Sequence, residues 1–219
     1  MAKTKLQRFE DIDQFENVLE LTDFQDARSK PKGVWKEEIF GNENPITLEL
    51  ACGKGDYTVG LARKYPSRNY VGIDIKGSRL WKGARKAREE QLSNARFLRI
   101  YIDHLDEYFD EGEVEEIWIT FPDPYLRGGN RSKRLTSDKF LAIYRNILQK
   151  SGPIHLKTDS EDLFKFSKYS VEKNGGRIQD EVEDIYSDCP DDDILTLKTD
   201  FERKHLKKGK IIKYLQFSL

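Results

Sequence analysis

Short apolar runs alternate with longer amphipathic ones along this chain from Ile46 onward, and few folds accommodate that pattern. Ile46–Leu50 reads as a buried strand. Asp56–Tyr65 has helical spacing through Tyr57, Val59, Leu61 and Ala62, and Pro66 stops it. A strand follows at Asn69–Ile75, a charged helix at Gly77–Leu92, and strands at Arg96–Ile102 and Glu116–Phe121. Ser137–Gln149 is amphipathic through Phe140, Leu141, Tyr144, Ile147 and Leu148. Then come a strand at Pro153–Lys157, a helix near Glu161–Lys173, and strands at Arg177–Tyr186 and Lys210–Leu219. Strands alternating with helices of this length predict an α/β chain with a doubly wound, mostly parallel sheet. The last two strands have no helix-length apolar segment between them, so they are expected to pair antiparallel at the sheet edge.

Residues 1–45 read as an extension ahead of a domain spanning 46–219. Phe9, Ile12, Phe15, Val18 and Leu19 recur at near-helical spacing and predict one short amphipathic helix; Asp26 to Pro45 reads as loop. With 219 residues the chain is long enough to bury a core without a disulfide or metal staple. Its two cysteines, Cys52 and Cys189, are expected to be free, and His104, His155 and His205 are too scattered for metal-ligand spacing. No apolar run is long enough to span a bilayer and no apolar leader follows Met1, so the expectation is a soluble, cytoplasmic protein with no membrane or metal partner. The net charge of -1 excludes a globally basic nucleic-acid binder; any such contact must come from local patches.

In open α/β sheets ligands bind beyond the carboxyl ends of the strands. The first long strand runs into Glu49-Leu50-Ala51-Cys52-Gly53-Lys54-Gly55. Gly53 and Gly55 allow a tight turn and close approach of a ligand. Asp74 ends the next strand and suits the hydroxyls of a ribose. A dinucleotide site wants a third small residue so that pyrophosphate can sit on the helix N-terminus. Here Asp56 stands at the helix start and would repel a phosphate. Glu49 and Asp56 instead favour S-adenosylmethionine, which carries a sulfonium and an ammonium. Asp103, after the third strand, lies where an adenine amino group would need an acceptor, or else faces water with the other acids of residues 103–116.

The fourth strand ends in Phe121-Pro122-Asp123-Pro124-Tyr125. Two prolines fix the backbone around one carboxylate. Asp123 is the candidate catalytic residue. Guanine N7 is a fitting acceptor, since its lone pair is free and the purine becomes cationic as a methyl arrives. A carboxylate on N1–H and the exocyclic amine would select the base and offset that charge. Arg127, Arg131, Lys133 and Arg134 follow with no intervening acid, and Arg203, Lys204, Lys207, Lys208, Lys210 and Lys213 form a second patch. Both suit RNA phosphates. The helix cations from Lys76 to Arg88 read as a solvated face.

These motifs resemble those of the bacterial tRNA (guanine-N7)-methyltransferases over roughly residues 34–219. The resemblance rests on Phe40-Gly41-Asn42 before Asn44-Pro45-Ile46, the Glu49…Gly53-Lys54-Gly55 loop, Gly72-Ile73-Asp74-Ile75, Phe121-Pro122-Asp123-Pro124, Lys157-Thr158-Asp159 and Thr199-Asp200-Phe201-Glu202-Arg203. It implies a Rossmann-like class I methyltransferase fold of seven strands, the last antiparallel, acting on a tRNA variable loop with S-adenosylmethionine. It implies that Glu49, Asp74, Asp103 and Asp123 bind the cofactor. Arg127, Asp159, Thr199, Asp200, Phe201 and Glu202 would bind the target nucleotide, while Arg131, Lys133 and Arg134 meet the RNA backbone. Departures are Ala51 where the family has glycine, Tyr125 for tryptophan, Arg127 for lysine, and the sparser Gly128-Gly129-Asn130. Ala51 is expected to fit if its backbone angle is ordinary. Monomer and homodimer both stay open. The competing readings are a nicotinamide-dependent reductase, an RNA-binding module without activity, and a methyltransferase acting on another RNA or on protein.

Overall fold

The computed structural model describes residues 4–19 and 30–219. Its sheet has eight strands: β1 (Val18–Leu19), β2 (Ile46–Leu50), β3 (Asn69–Ile73), β4 (Ala95–Leu98), β5 (Glu116–Thr120), β6 (Ile154–Thr158), β7 (Arg177–Val182) and β8 (Lys213–Ser218), in the order β1-β4-β3-β2-β5-β6-β8-β7. The pairs from β1 through β6 are parallel, and β8 runs antiparallel to both β6 and β7. Every residue of β2, β3 and β6 is buried, because helices cover both faces of the sheet. On one face Leu48, Leu50, Ile117 and Ile119 pack with Trp35, Phe140 and Tyr144; on the other Tyr57, Leu61, Leu80, Ala84 and Phe97 form a second core.

The long helices fall where the periodicity puts them: α2 (Asp56–Lys64), α3 (Gly77–Glu89), α4 (Asp138–Ile147) and α5 (Glu161–Lys173). Three differences have physical causes. The N-terminal helix α1 (Lys5–Ile12) stops early, and Val18–Leu19 continues not as helix but as the added edge strand β1 against Phe97 and Leu98. A two-residue apolar pair fits either period. The segment expected as loop holds one wide helical turn, Trp35–Phe40, that drives Trp35 fully into the core, where it stacks on Phe109; residues 26–29 of that segment lie outside the described residues. Between β7 and β8 lie two short helices, α6 (Ile185–Asp188) and α7 (Asp200–Leu206), which the sequence reading did not anticipate. β8 slots between β6 and β7. The described residues before Ile46 are thus tied to the domain through β1 and Trp35.

Candidate active site at the carboxyl edge of the sheet

Strand order reverses between β2 and β5, and a cavity of about 280 Å3 opens there. The loop after β2 lines it with Ala51, Cys52, Gly53, Lys54 and Asp56, β5 with Thr120 and Phe121, α3 with Arg79, and the start of α7 with Thr199, Asp200, Phe201 and Lys204.

The β2 loop is shaped by contacts rather than by freedom alone. Gly55 has φ +65° and caps α2, and a Cβ there would lie 2.5 Å from the Phe97 ring, so this glycine serves close packing. At Gly53 a Cβ would meet only the Ala51 carbonyl oxygen at 3.9 Å, so that backbone borders open space. The Gly53 amide donates to Asp74 Oδ2 at 2.9 Å, and the Lys76 amide to Asp74 Oδ1 at 2.7 Å. Asp74 therefore braces the loop, with one lone pair left on each oxygen. Ala51 has φ +55°, so its backbone angle is not ordinary: alanine sits in a left-handed conformation that suits glycine. This corrects the expectation for that position.

Glu49 lies beneath the loop, 3% exposed. It accepts from the Thr58 amide and hydroxyl and, at 2.8 Å, from the Thr120 hydroxyl. Burial pushes its carboxyl up to about 7 despite these donors. Asp103 is on a short 3-10 turn, 41% exposed and paired with Lys139.

The opposite wall is α7. Thr199 caps it in a box with Glu202: the Glu202 amide donates to the Thr199 hydroxyl at 3.0 Å, and the Thr199 amide to Glu202 Oε2 at 3.2 Å. Glu202 has no exposed surface. It pairs with Lys157 at 3.0 Å and accepts from the Tyr186 hydroxyl at 2.9 Å. Lys157, also fully buried, donates to the Leu195 and Leu197 carbonyls at 2.6 and 3.3 Å. Burial pushes its ammonium down and Glu202 opposes that. Lys54 holds Asp200 at 2.5 Å, and the Asp200 amide donates to Asp56 at 2.7 Å, which pins α7 to the β2 loop.

The loop after β5 is strained and held. Phe121 and Tyr125 have φ +51° and +42°. The Tyr125 amide donates to Asp123 Oδ1 at 2.9 Å, leaving the rest of that exposed carboxylate to solvent. Non-glycine residues at such angles cost about 1–3 kcal/mol each and concentrate at functional sites. Arg134 secures the loop: its Nε donates to the Pro124 carbonyl at 2.8 Å and its guanidinium stacks 4.5 Å over Phe166. At 4% exposure it is a brace, unlike the exposed Arg127, Arg131 and Lys133. The Phe121 ring meets Phe201 at 5.3 Å, Phe201 stacks on His205 at 3.9 Å, and His205 hydrogen-bonds Asp159 at 2.8 Å.

The structure thus brings Gly53, Thr199, Asp200 and Phe201 to one cavity, with Glu49 beneath it and Asp74 behind the loop. The sequence reading missed Lys54, Lys157 and His205. A lysine inside a strand expected to be covered on both faces is the signal for Lys157. No helix among the described residues is long and apolar enough to cross a membrane, and no group of three or more His, Cys, Asp or Glu residues among them could hold a metal.

A mostly parallel sheet with an inverted last strand is the Rossmann-like fold of the class I methyltransferases. The 16S rRNA methyltransferase KamB shares the fold with a TM-score of 0.64 at 16% identity, over 90% of this chain and 95% of that one. A family described as putative methyltransferase matches residues 43–215. The tRNA (guanine-N(7)-)-methyltransferase of Bacteroides fragilis is 44% identical over the full chain and 87% of its own length, and that of Christiangramia forsetii 42% identical over the full chain and 99% of its own. The chain belongs to the tRNA (guanine-N(7)-)-methyltransferase family.

Proposed function

We propose that this protein transfers a methyl group from S-adenosylmethionine to N7 of a guanine in the variable loop of tRNA. Family membership over the whole chain carries the reading. The cavity agrees with it: carboxylates of Asp56 and Asp200 stand at the start of α2 and α7, where a phosphate-bearing cofactor would need free amides.

The cofactor, when bound, supplies a methyl group activated on a sulfonium. Gly53 lets it approach the backbone, Asp74 offers its spare lone pairs to ribose hydroxyls, and Glu49 offers a carboxylate to its cationic end. Asp103, paired with Lys139 through Oδ1, offers Oδ2 to an adenine amino group. Asp123 accepts from guanine N1–H and the exocyclic amine and offsets the charge that the purine gains. The Phe121–Phe201–His205 stack offers a π-face to a splayed base, with Asp159 fixing the His205 ring. Thr199 and Arg127 are left to contact the nucleotide. Glu202 acts by holding α7 in place, since it exposes nothing. Arg131 and Lys133 meet phosphates. The cytoplasm is the compartment that this reading implies.

Incubation with labelled S-adenosylmethionine and bulk tRNA, followed by borohydride and aniline cleavage, tests the reading: one guanine position should be cut. Label in RNA without cleavage would point to another acceptor atom. Asp123→Asn should lose most turnover with the fold intact, because the amide presents donors to the guanine donors; a near-normal single-turnover rate would reduce Asp123 to a turn residue.

A further inference from the structure

The charged helix α3 carries a feature that the catalytic site does not use. Arg79, Lys82 and Lys86 are exposed and spaced i, i+3, i+7, so they share one face. Other cations of the helix are engaged: Arg85 pairs with Glu89 at 2.9 Å and lies over Trp81, and Arg88 lies 4.5 Å from the Phe15 ring centroid. Among the described residues no carboxylate is ion-paired with Arg79, Lys82 or Lys86. Arg79 lines the cavity, so the stripe starts at its rim. Lys204 of α7 lines the same cavity, also without an ion-pair partner among the described residues. Lys54 crowds Lys82 and pushes its ammonium down, with burial and Arg8 adding to the effect and Asp200 opposing it.

Unpaired cations along one helix face that starts at the rim repel each other and call for a counter-charge. The single carboxylate of S-adenosylmethionine could answer a cation in the cavity lining such as Arg79, but Lys82 and Lys86 lie outside that lining, and a chain of net charge -1 has acids enough to have paired them. A phosphate backbone provides that counter-charge. Arg79 and Lys86 are separated along the helix axis by about 10 Å at 1.5 Å per residue, so the stripe is long enough to meet more than one phosphate of a strand. The topology fixes which side this is. α3 follows β3 and the Arg127–Lys133 loop follows β5, so the two lie on opposite sides of β2 and of the cavity.

We propose that Arg79, Lys82 and Lys86 form a second phosphate track for tRNA, so that the RNA straddles the cavity between α3 and the loop after β5. This rests on the tRNA reading above and deepens it. The track positions the substrate without reading bases, because phosphate contacts carry no sequence information.

The test uses the full chain with Lys82→Gln/Lys86→Gln, two exposed positions outside the cavity lining, beside a charge-matched control, Lys150→Gln/Lys165→Gln. Wild-type protein is first assayed for N7 methylation of bulk tRNA; absence of that product overturns the functional reading and the track together. Given wild-type activity, the slope of log K against log salt for tRNA binding should flatten by about 1.4–1.8 in the α3 variant, at about 0.7–0.9 per phosphate contact. KM for tRNA should rise while kcat at saturating tRNA, cofactor affinity and melting temperature hold. A slope equal to that of the control overturns the track alone and leaves the methyltransferase reading standing.

Discussion

Glu49 on β2 and Lys157 on β6 are both buried charges in fully covered strands, with β5 between them, yet their surroundings differ in kind. Lys157 meets a carboxylate and two carbonyls, a closed arrangement that ties the Leu195–Leu197 segment and α7 to the sheet. Glu49 meets two hydroxyls and an amide, and no cation hydrogen-bonds it among the described residues. One charge is complete within the protein. The other is held near neutrality, so a cation arriving in the cavity above it would find a carboxyl ready to ionise. The same fold uses burial to fix a wall in one place and to prepare a ligand site in another.

The largest effect should come from breaking the closed pair. Lys157→Met strands Glu202 as a buried charge and should cost about 3–5 kcal/mol in denaturant unfolding. Lys157→Met/Glu202→Gln should recover a substantial part of it. A single variant losing under ~1 kcal/mol would mean that the pair is not closed as described.

Glu49 gives the next effect, with a defined pH window. Its folded value of about 7 exceeds the unfolded 4.5, so the native state keeps a proton that the unfolded chain has lost. Stability should therefore fall as pH rises from about 4.5 through 7, by on the order of 3 kcal/mol at about 1.4 kcal/mol per unit. Glu49→Gln should flatten that fall and stabilise the ligand-free protein at pH 8. Under the proposed function, cofactor affinity should rise through pH 7 in the native protein and lose that dependence in the variant. An unchanged stability profile would show that Glu49 ionises freely.

The smallest effect separates backbone from charge beside Glu49. Ala51→Gly relieves a left-handed alanine and should stabilise by about 0.5–1 kcal/mol, the strain relieved exceeding the entropy that glycine adds to the unfolded chain. No gain in melting temperature would mean that the loop relaxes around alanine at no cost.

Much of this was legible in advance, for a physical reason. Strands buried on both faces read as short, apolar-rich runs between helical segments, so β2, β3, β5 and β6 stand out, and the loops at their carboxyl ends follow. Asp123 and Gly53 could be singled out because prolines and glycines mark backbone geometry locally. α7 was missed because Asp-Phe-Glu-Arg-Lys-His-Leu is short and charged; its stability comes from the Thr199–Glu202 capping box and the ion pair beneath. That box is written in the sequence as Thr-x-x-Glu, the ordinary signature of a helix start. The family resemblance gives the same two residues a role at the target nucleotide, which a capping box does not by itself announce. Arg134 could not be told from Arg131 by sequence, because its burial depends on the distant Phe166 and on the carbonyl of Pro124.

The place of β8 has a consequence for the order of assembly. Among the described residues β7 pairs with β8 alone, and β8 follows it in the chain after the long excursion through α6 and α7. That edge of the sheet cannot be laid down in chain order: β7 waits for the strand that comes after it, and α7 is closed over the cavity only when both ends of the excursion are anchored. The amides of β7 and β8 should then exchange with solvent as one cooperative unit, separable from the parallel strands β2 to β6. Removing residues 213–218 would release two strands and unmoor one wall of the cavity, although none of those six residues lines it.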